Sequence, residues 1–185
     1  IEIASYSKNI DKVIVTSENS EILDLSKSFK DIICIKRPLE LASDNSKTEH
    51  SLLHAIGELE NNFSVFPKYI FTLEPTSPLR SLETIDKAIK TFLESDYDSL
   101  ISLVETRDCI GKIINNDFHH LDKNLPRRRQ EREMLYKECG TIYGTKVSIL
   151  KSHKTIFGDK ILPFIVPKVE ALDINDPEDF ELIAV

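Results

Sequence analysis

The sequence predicts an α/β domain built as three layers, a doubly wound and mostly parallel sheet with helices on both faces. Two observations carry this. Short apolar runs at residues 12–16, 32–36, 69–73 and 99–104, rich in Val, Ile, Leu or Phe, read as buried strands. Between them lie helical stripes: Leu52, Leu53, Ile56 and Leu59 recur at three-to-four spacing, as do Ile85, Ala88, Ile89, Phe92 and Leu93. Strands that alternate with helices make a covered parallel sheet, and such sheets hold their ligands beyond the carboxyl ends of the strands.

The opening residues Ile1 to Tyr6 read as the tail of a helix, so a strand and loop are expected before them that this stretch does not contain. The run from Leu73 to Arg80 follows the third strand and precedes the Ile85 helix. Pro75 and Pro78 stiffen it around Thr76 and Ser77, and Arg80 stands at a helix mouth whose free amides favour anions. The second half is less regular, with strand-like pieces at 112–114, 141–143 and 162–166 separated by polar loops, one of them holding His119 and His120. A last helix starts at Asp176-Pro177-Glu178-Asp179, which offers a cap, a first-turn proline and acidic first-turn residues.

With 185 residues, 41% of them hydrophobic, the chain is long enough for one domain with a substantial core, and residues 1–185 are read as that domain. Its 24 basic and 31 acidic residues leave a net charge of −7, which opposes broad binding to nucleic acid or anionic membranes. No apolar run approaches the roughly 20 residues that span a bilayer, and a cytoplasmic location is expected. Cys34, Cys109 and Cys139 are odd in number and form no C-x-x-C pair, which suggests neither a disulfide framework nor a zinc site. Gly57, Gly111, Gly140, Gly144 and Gly158 make no phosphate-cradling glycine pattern. His50 and His54 are four apart on a helix, but without a third ligand they are read as packing or surface residues.

Three further constellations could carry chemistry. Lys36 to Asp44 continues through Ser46 and Thr48 into a helix, and Arg37 could fork onto a base carbonyl or phosphate there; the alternative is a surface loop with a cap. Arg127, Arg128, Arg129 and Arg132 concentrate positive charge, either for an anionic substrate or as a solvated face. Asp173 and Asn175 alternate onto one side of an extended segment, where hard oxygens could hold magnesium beside a phosphate.

Taken together, Lys36-Arg37-Pro38 with Leu41 to Asp44, Leu73 to Arg80, Arg129-Gln130, Gly140 to Tyr143, and Asp173 to Asn175 with Pro177 to Asp179 resemble the CMP-sialic acid synthetases, the acylneuraminate cytidylyltransferases, in order and spacing. The resemblance implies a nucleotide-diphospho-sugar transferase-like fold with a small dimerisation extension within about residues 140–170, and CMP transfer from CTP to a nine-carbon acidic sugar with release of pyrophosphate. It implies Mg2+ as cofactor, CTP and the sugar as partners, and a homodimer. By position, Arg37, Ser46 and Thr48 would contact CTP. Asp173 and Asn175 would hold the metal, with Asp173 and Arg129 serving catalysis. Glu74, Ser77, Arg80 and Tyr143 would line the sugar pocket, joined by Lys112, Gln130 and Lys137. Ile156 and Phe157 would reach the neighbouring subunit's sugar. The family's first strand and phosphate loop have no counterpart here, Glu74 stands where the family usually has glutamine, and Asn175 where some members carry aspartate. The competing reading is an inactive nucleotide-binding or regulatory module of the same fold. A transferase for an eight-carbon acidic sugar fits the Leu73 to Arg80 sequence less well.

Overall fold

A computed structural model describes residues 1–43 and 46–183. The elements are α1 (Glu2–Tyr6), β1 (Val13–Ser17), α2 (Ser20–Ser26), β2 (Ile32–Lys36), α3 (Thr48–Asn62), β3 (Tyr69–Thr72), α4 (Leu82–Leu93), β4 (Ser99–Thr106), β5 (Gly111–Ile114), β6 (Asp117–His120), β7 (Leu135–Lys146), α5 (Val147–His153), β8 (Ile161–Ile165) and α6 (Pro177–Ile183).

β1 and β2 pair in parallel, from Val13 opposite Ile32 to Ser17 opposite Lys36. A second sheet has the order β3-β7-β4-β8. β4 and β8 are parallel, whereas β7 runs antiparallel to both β3 and β4, so β3, β4 and β8 share a direction with β7 reversed among them. β5 and β6 form a separate hairpin. Its turn uses Asn115 and Asn116 at φ 51 and 69, a left-handed geometry that asparagine tolerates best after glycine.

The predicted helical stripes are buried except at Leu53, which is half-buried, and Leu93, which is exposed. α4 turns Ile85, Ala88, Ile89 and Phe92 inward, and Ala88 and Phe92 join Leu100, Ile142 and Phe164 in one core cluster. α3 serves both sheets: Leu52 and Ile56 pack with Val147 and Leu150, and Ala55 and Leu59 pack with Ile35 from β2. Phe92 meets Tyr69 and Phe71 edge to face, each at 5.8 Å between ring centres.

Three local expectations change. The strand expected at 141–143 runs the full length of β7, because β4 pairs along it from Leu135 to Thr145 and β3 from Tyr143 to Lys146. His119 and His120 lie on β6 rather than in a loop, held opposite Lys112 and Gly111. Residues 172–175 are extended but pair with no described strand; Ile174 N instead donates to Thr76 O at 2.8 Å.

The most consequential irregularity is in β7. Ile101 lies opposite Tyr143 but Leu103 opposite Glu138, so Ser102 alone faces residues 139–142. This is an enlarged bulge, four residues against one, and the fully buried Ser102 stitches it: its hydroxyl donates to Cys139 O at 2.6 Å and accepts from Ile142 N at 3.0 Å. Ser102→Ala would strand a buried carbonyl and a buried amide together, and urea unfolding should show a loss of about 1–3 kcal/mol.

Candidate functional site

Beyond the carboxyl ends of β3 and β4 lies a cleft of about 300 Å3. Its walls are Glu74 and Thr76 from the turn after β3, Val104 from β4, Lys137 to Gly140 and Tyr143 from β7, and Ala171, Asp173 and Asn175 from the segment after β8. The bulge decides which side chains of β7 are presented there, since it resets the alternation between Glu138 and Tyr143.

Arg80 is the fastener of this wall. Its Nη2 donates to Glu74 O at 2.8 Å and to Gly140 O at 3.4 Å, and its Nε donates to Thr141 O. One guanidinium therefore ties the Leu73 to Arg80 turn to the bulge, using the planar fork that lysine lacks. Ser77 is buried, only 2% exposed, with a hydroxyl that finds no partner among the described residues.

The Asp173 segment is fixed by Glu170, a buried acid that no sequence pattern marked. Its carboxylate accepts from Ser81 Oγ at 2.9 Å and Ser81 N at 3.2 Å, at the start of α4, where the helix favours negative charge. Its backbone carbonyl accepts from Thr141 Oγ1 at 2.9 Å. Helix start, bulge and 168–171 turn thus share one polar knot. Past it, Asn175 N donates to Asp179 Oδ2 and Asp179 N to Asp176 Oδ1, each at 2.9 Å, a reciprocal cap that starts α6.

Within the cleft the charges are mostly negative. Tyr143 donates its hydroxyl to Glu138 at 2.8 Å, and burial with that bond pushes the phenol pKa well above its ordinary value. Phe157 meets the Tyr143 ring edge to face at 6.3 Å, and Ile156 packs on the Val147 and Leu150 cluster of the same chain. Burial also raises the Glu74 carboxyl, Arg80 opposing and Asp173 reinforcing the shift. Asp173 Oδ1 is buried without a partner among the described residues.

The other expected site residues lie in two separate places. Arg37, after β2, forms an ion pair with Glu18 at 2.5 Å and donates to Ser51 at 3.3 Å, and its hydrogen bond holds the Glu18 carboxyl below its usual range. Ser46 has a buried hydroxyl without a described partner, and Thr48 begins α3. Asp44 lies outside the described residues. Arg129 is exposed and 3.9 Å from Asp108, Gln130 O accepts from Arg107 just past β4, and Lys112 is exposed on β5. None of these residues lines the cleft, whereas Glu74, Lys137, Tyr143, Asp173 and Asn175 all do. His54 Nδ1 is buried without a partner, and no group of three or more metal-ligating side chains forms among the described residues. No described helix is long and apolar enough to cross a membrane.

The raised Glu74 pKa has a stability consequence of definite sign. As pH rises, the unfolded chain releases this proton first, so the contribution is full below the ordinary glutamate pKa and is lost above it. Glu74→Gln should therefore melt at the same temperature as the parent at about pH 3.5 and at a higher temperature at about pH 7.5. Equal melting temperatures at both pH values would remove this assignment.

The sequence profile of the cytidylyltransferase family matches residues 1–158. Among curated relatives, the post-translational flagellin modification protein B of Campylobacter coli is 25% identical over 97% of this chain and 78% of its own length. The N-acylneuraminate cytidylyltransferase of Escherichia coli is 28% identical over 98% of this chain but only 43% of its own length. Among solved structures, the CMP:2-keto-3-deoxy-manno-octonic acid synthetase complexed with CTP superposes with a TM-score of 0.66 at 12% identity, covering 98% of this chain and 83% of the other. The 4-diphosphocytidyl-2C-methyl-D-erythritol synthase of Anaerococcus prevotii gives 0.67 at 14%, covering 98% and 80%. The fold is therefore shared with nucleotidyltransferases, and the profile match across most of the sequence shows that this chain belongs to the cytidylyltransferase family.

Proposed function

We propose that this chain transfers CMP from CTP to a nine-carbon acidic sugar of the sialic, legionaminic or pseudaminic type, releasing pyrophosphate. The observation that carries the reading is the cleft beyond the strand ends, which Lys137 lines together with Glu74, Tyr143 and Asp173, whose Oδ1 is buried without a partner among the described residues. The names of the relatives support the sugar class: they include a CMP-N,N'-diacetyllegionaminic acid synthase of Legionella pneumophila and a pseudaminic acid cytidylyltransferase of Campylobacter jejuni.

In this reading the anomeric hydroxyl of the sugar attacks the α-phosphorus of CTP. The bond from that phosphorus to the bridging oxygen breaks, pyrophosphate leaves, and the hydroxyl proton passes to water. Positioning supplies most of the rate. Lys137 pairs with the sugar carboxylate, and Arg37, Ser46 and Thr48 take the cytidine end, Arg37 exchanging Glu18 for the nucleotide. The donor set at the end of β8 suits a hard cation: Asp173 Oδ1 is buried and unpaired, and the Asn175 side chain stands beside it, its Nδ2 donating to Asp173 O at 3.4 Å. Two protein oxygens are what magnesium commonly takes when phosphate and water complete its shell. Magnesium there would neutralise charge on the phosphates.

A homodimer and a cytoplasmic location belong to the same reading. Ile161 and Ile165 on β8 are 40% and 43% exposed, inside the 140–170 segment expected at the subunit contact. Larger apolar exposure lies on the hairpin, with Ile113 at 78% and Phe118 at 57%. Both surfaces favour association with a second copy.

Pyrophosphate release from CTP and magnesium should appear with a nine-carbon sugar acid and depend on it. Asp173→Asn should lower turnover about a hundredfold, and Arg37→Ala should raise the KM for CTP about tenfold. CTP binding without release for any sugar acid would favour the inactive module instead.

A further inference from the structure

Away from the cleft, the hairpin brings a thiol and an imidazole together. Cys109 is exposed and stands just before β5, and its Sγ lies 2.9 Å from His120 Nδ1 on β6. Strand pairing makes this meeting. Gly111 is opposite His120, and Leu121 N donates to Ile110 O at 2.9 Å, which carries the ladder one residue further and brings Cys109 up to the imidazole. Phe118, on the same face of β6 as His120, meets its ring edge to face at 4.9 Å. A Cβ on Gly111 would collide with His119 O and the Phe118 ring, so glycine leaves the space that this arrangement occupies.

The other two thiols have no such partner. Cys34 donates to Leu23 O at 3.7 Å, and the buried Cys139 accepts from Thr141 Oγ1 at 3.5 Å. A neutral thiol is a weak nucleophile and a thiolate a strong one, so a base that takes the proton as the sulfur attacks is what makes an exposed cysteine reactive. An imidazole that carries its hydrogen on Nε2 presents Nδ1 as that base, with the thiol donating to it. Two ligands are too few for a structural zinc site, and no group of three metal-ligating side chains forms among the described residues.

We propose that Cys109, with His120 as its base, is a site of thiol–disulfide exchange with small disulfides, which leaves the chain carrying a mixed disulfide. The Cys109 sulfur bonds to one sulfur of the incoming disulfide as the bond between that disulfide's two sulfurs breaks. His120 Nδ1 takes the thiol proton and gives it to the departing thiolate; Cys109 is oxidised and the departing sulfur reduced. The adduct stands at a joint of the chain. Arg107 donates to Gln130 O at 2.9 Å, Arg132 donates to Arg107 O at 3.0 Å, and Asp108 lies 3.9 Å from Arg129, so the residues just before Cys109 tie the hairpin to the arginine-rich segment.

The probe is dithiobis(nitrobenzoate), a disulfide whose released thiolate is coloured, applied to the native chain in the assembly it forms, with mass mapping of the labelled peptide. One thiol should react at least about tenfold faster than the other two, and Cys109→Ser should remove that phase. His120→Ala should slow it at least about tenfold, and imidazole added to the solution should restore the rate of this variant while barely changing the parent's. His120→Gln, which keeps a polar side chain but no base, should be slowed alike, and thermal melting establishes that each variant is folded. A slowed thiol that imidazole does not rescue would make His120 merely structural and overturn the assignment. So would a fast phase that survives Cys109→Ser, or a Cys109 that reacts no faster than Cys34 and Cys139.

Discussion

The site depends on one constraint, the bulge that Ser102 and Arg80 hold open in β7. A regular antiparallel pairing would carry the alternation of β4 straight through residues 137–143 and give their backbone to the ladder. Instead the amide of Ile142 and the carbonyl of Cys139 turn to a buried hydroxyl, and the carbonyls of Gly140 and Thr141 turn to a guanidinium. These are the groups that a bulge would otherwise leave orphaned, so their satisfaction is what makes the distortion tolerable inside a core. The same guanidinium holds the turn after β3, and Thr141 holds Glu170. Four chain segments far apart in sequence thereby meet at one wall.

Rigidity there has an electrostatic purpose. The half-buried Arg80 and the buried Glu170 find their partners in the fold, one in carbonyls and one at the start of α4. Asp173 is the opposite case, a carboxylate in the cleft whose Oδ1 is buried with no partner among the described residues. The contrast separates scaffold from site better than charge alone does. It also explains why Arg80, which as a sequence feature pointed to an anion, acts in the structure as a brace for the backbone.

The architecture was largely legible in the sequence because it follows from periodicity. Stripes at Leu52 to Leu59 and Ile85 to Phe92, set between short β-branched runs, leave few alternatives to a helix-covered sheet, and the strand-end position of Glu74 follows from that fold class. The Asp176 cap and the helix tail at Ile1 to Tyr6 were also local signals, and both elements are present. The resemblance named Glu74 and Tyr143, and alternation along the segment named Asp173 and Asn175; all four line one cleft.

Tertiary structure alone decided the rest. Periodicity does not tell which way a strand runs, so the reversal of β7 and its length came only from its two neighbours. A bulge has no pattern of its own, because Ser102 matters through atoms dozens of residues away. Glu170 looked like any surface acid until Ser81 and Thr141 met it. Arg37 and Arg129 read alike as cations for an anion, yet one is half-buried on Glu18 and the other is exposed near Asp108. Local sequence determined which segments form and which faces they bury, since those depend on neighbours three or four residues away. Which polar groups are satisfied by the fold, and which are left for a ligand, depends on partners brought together from across the chain.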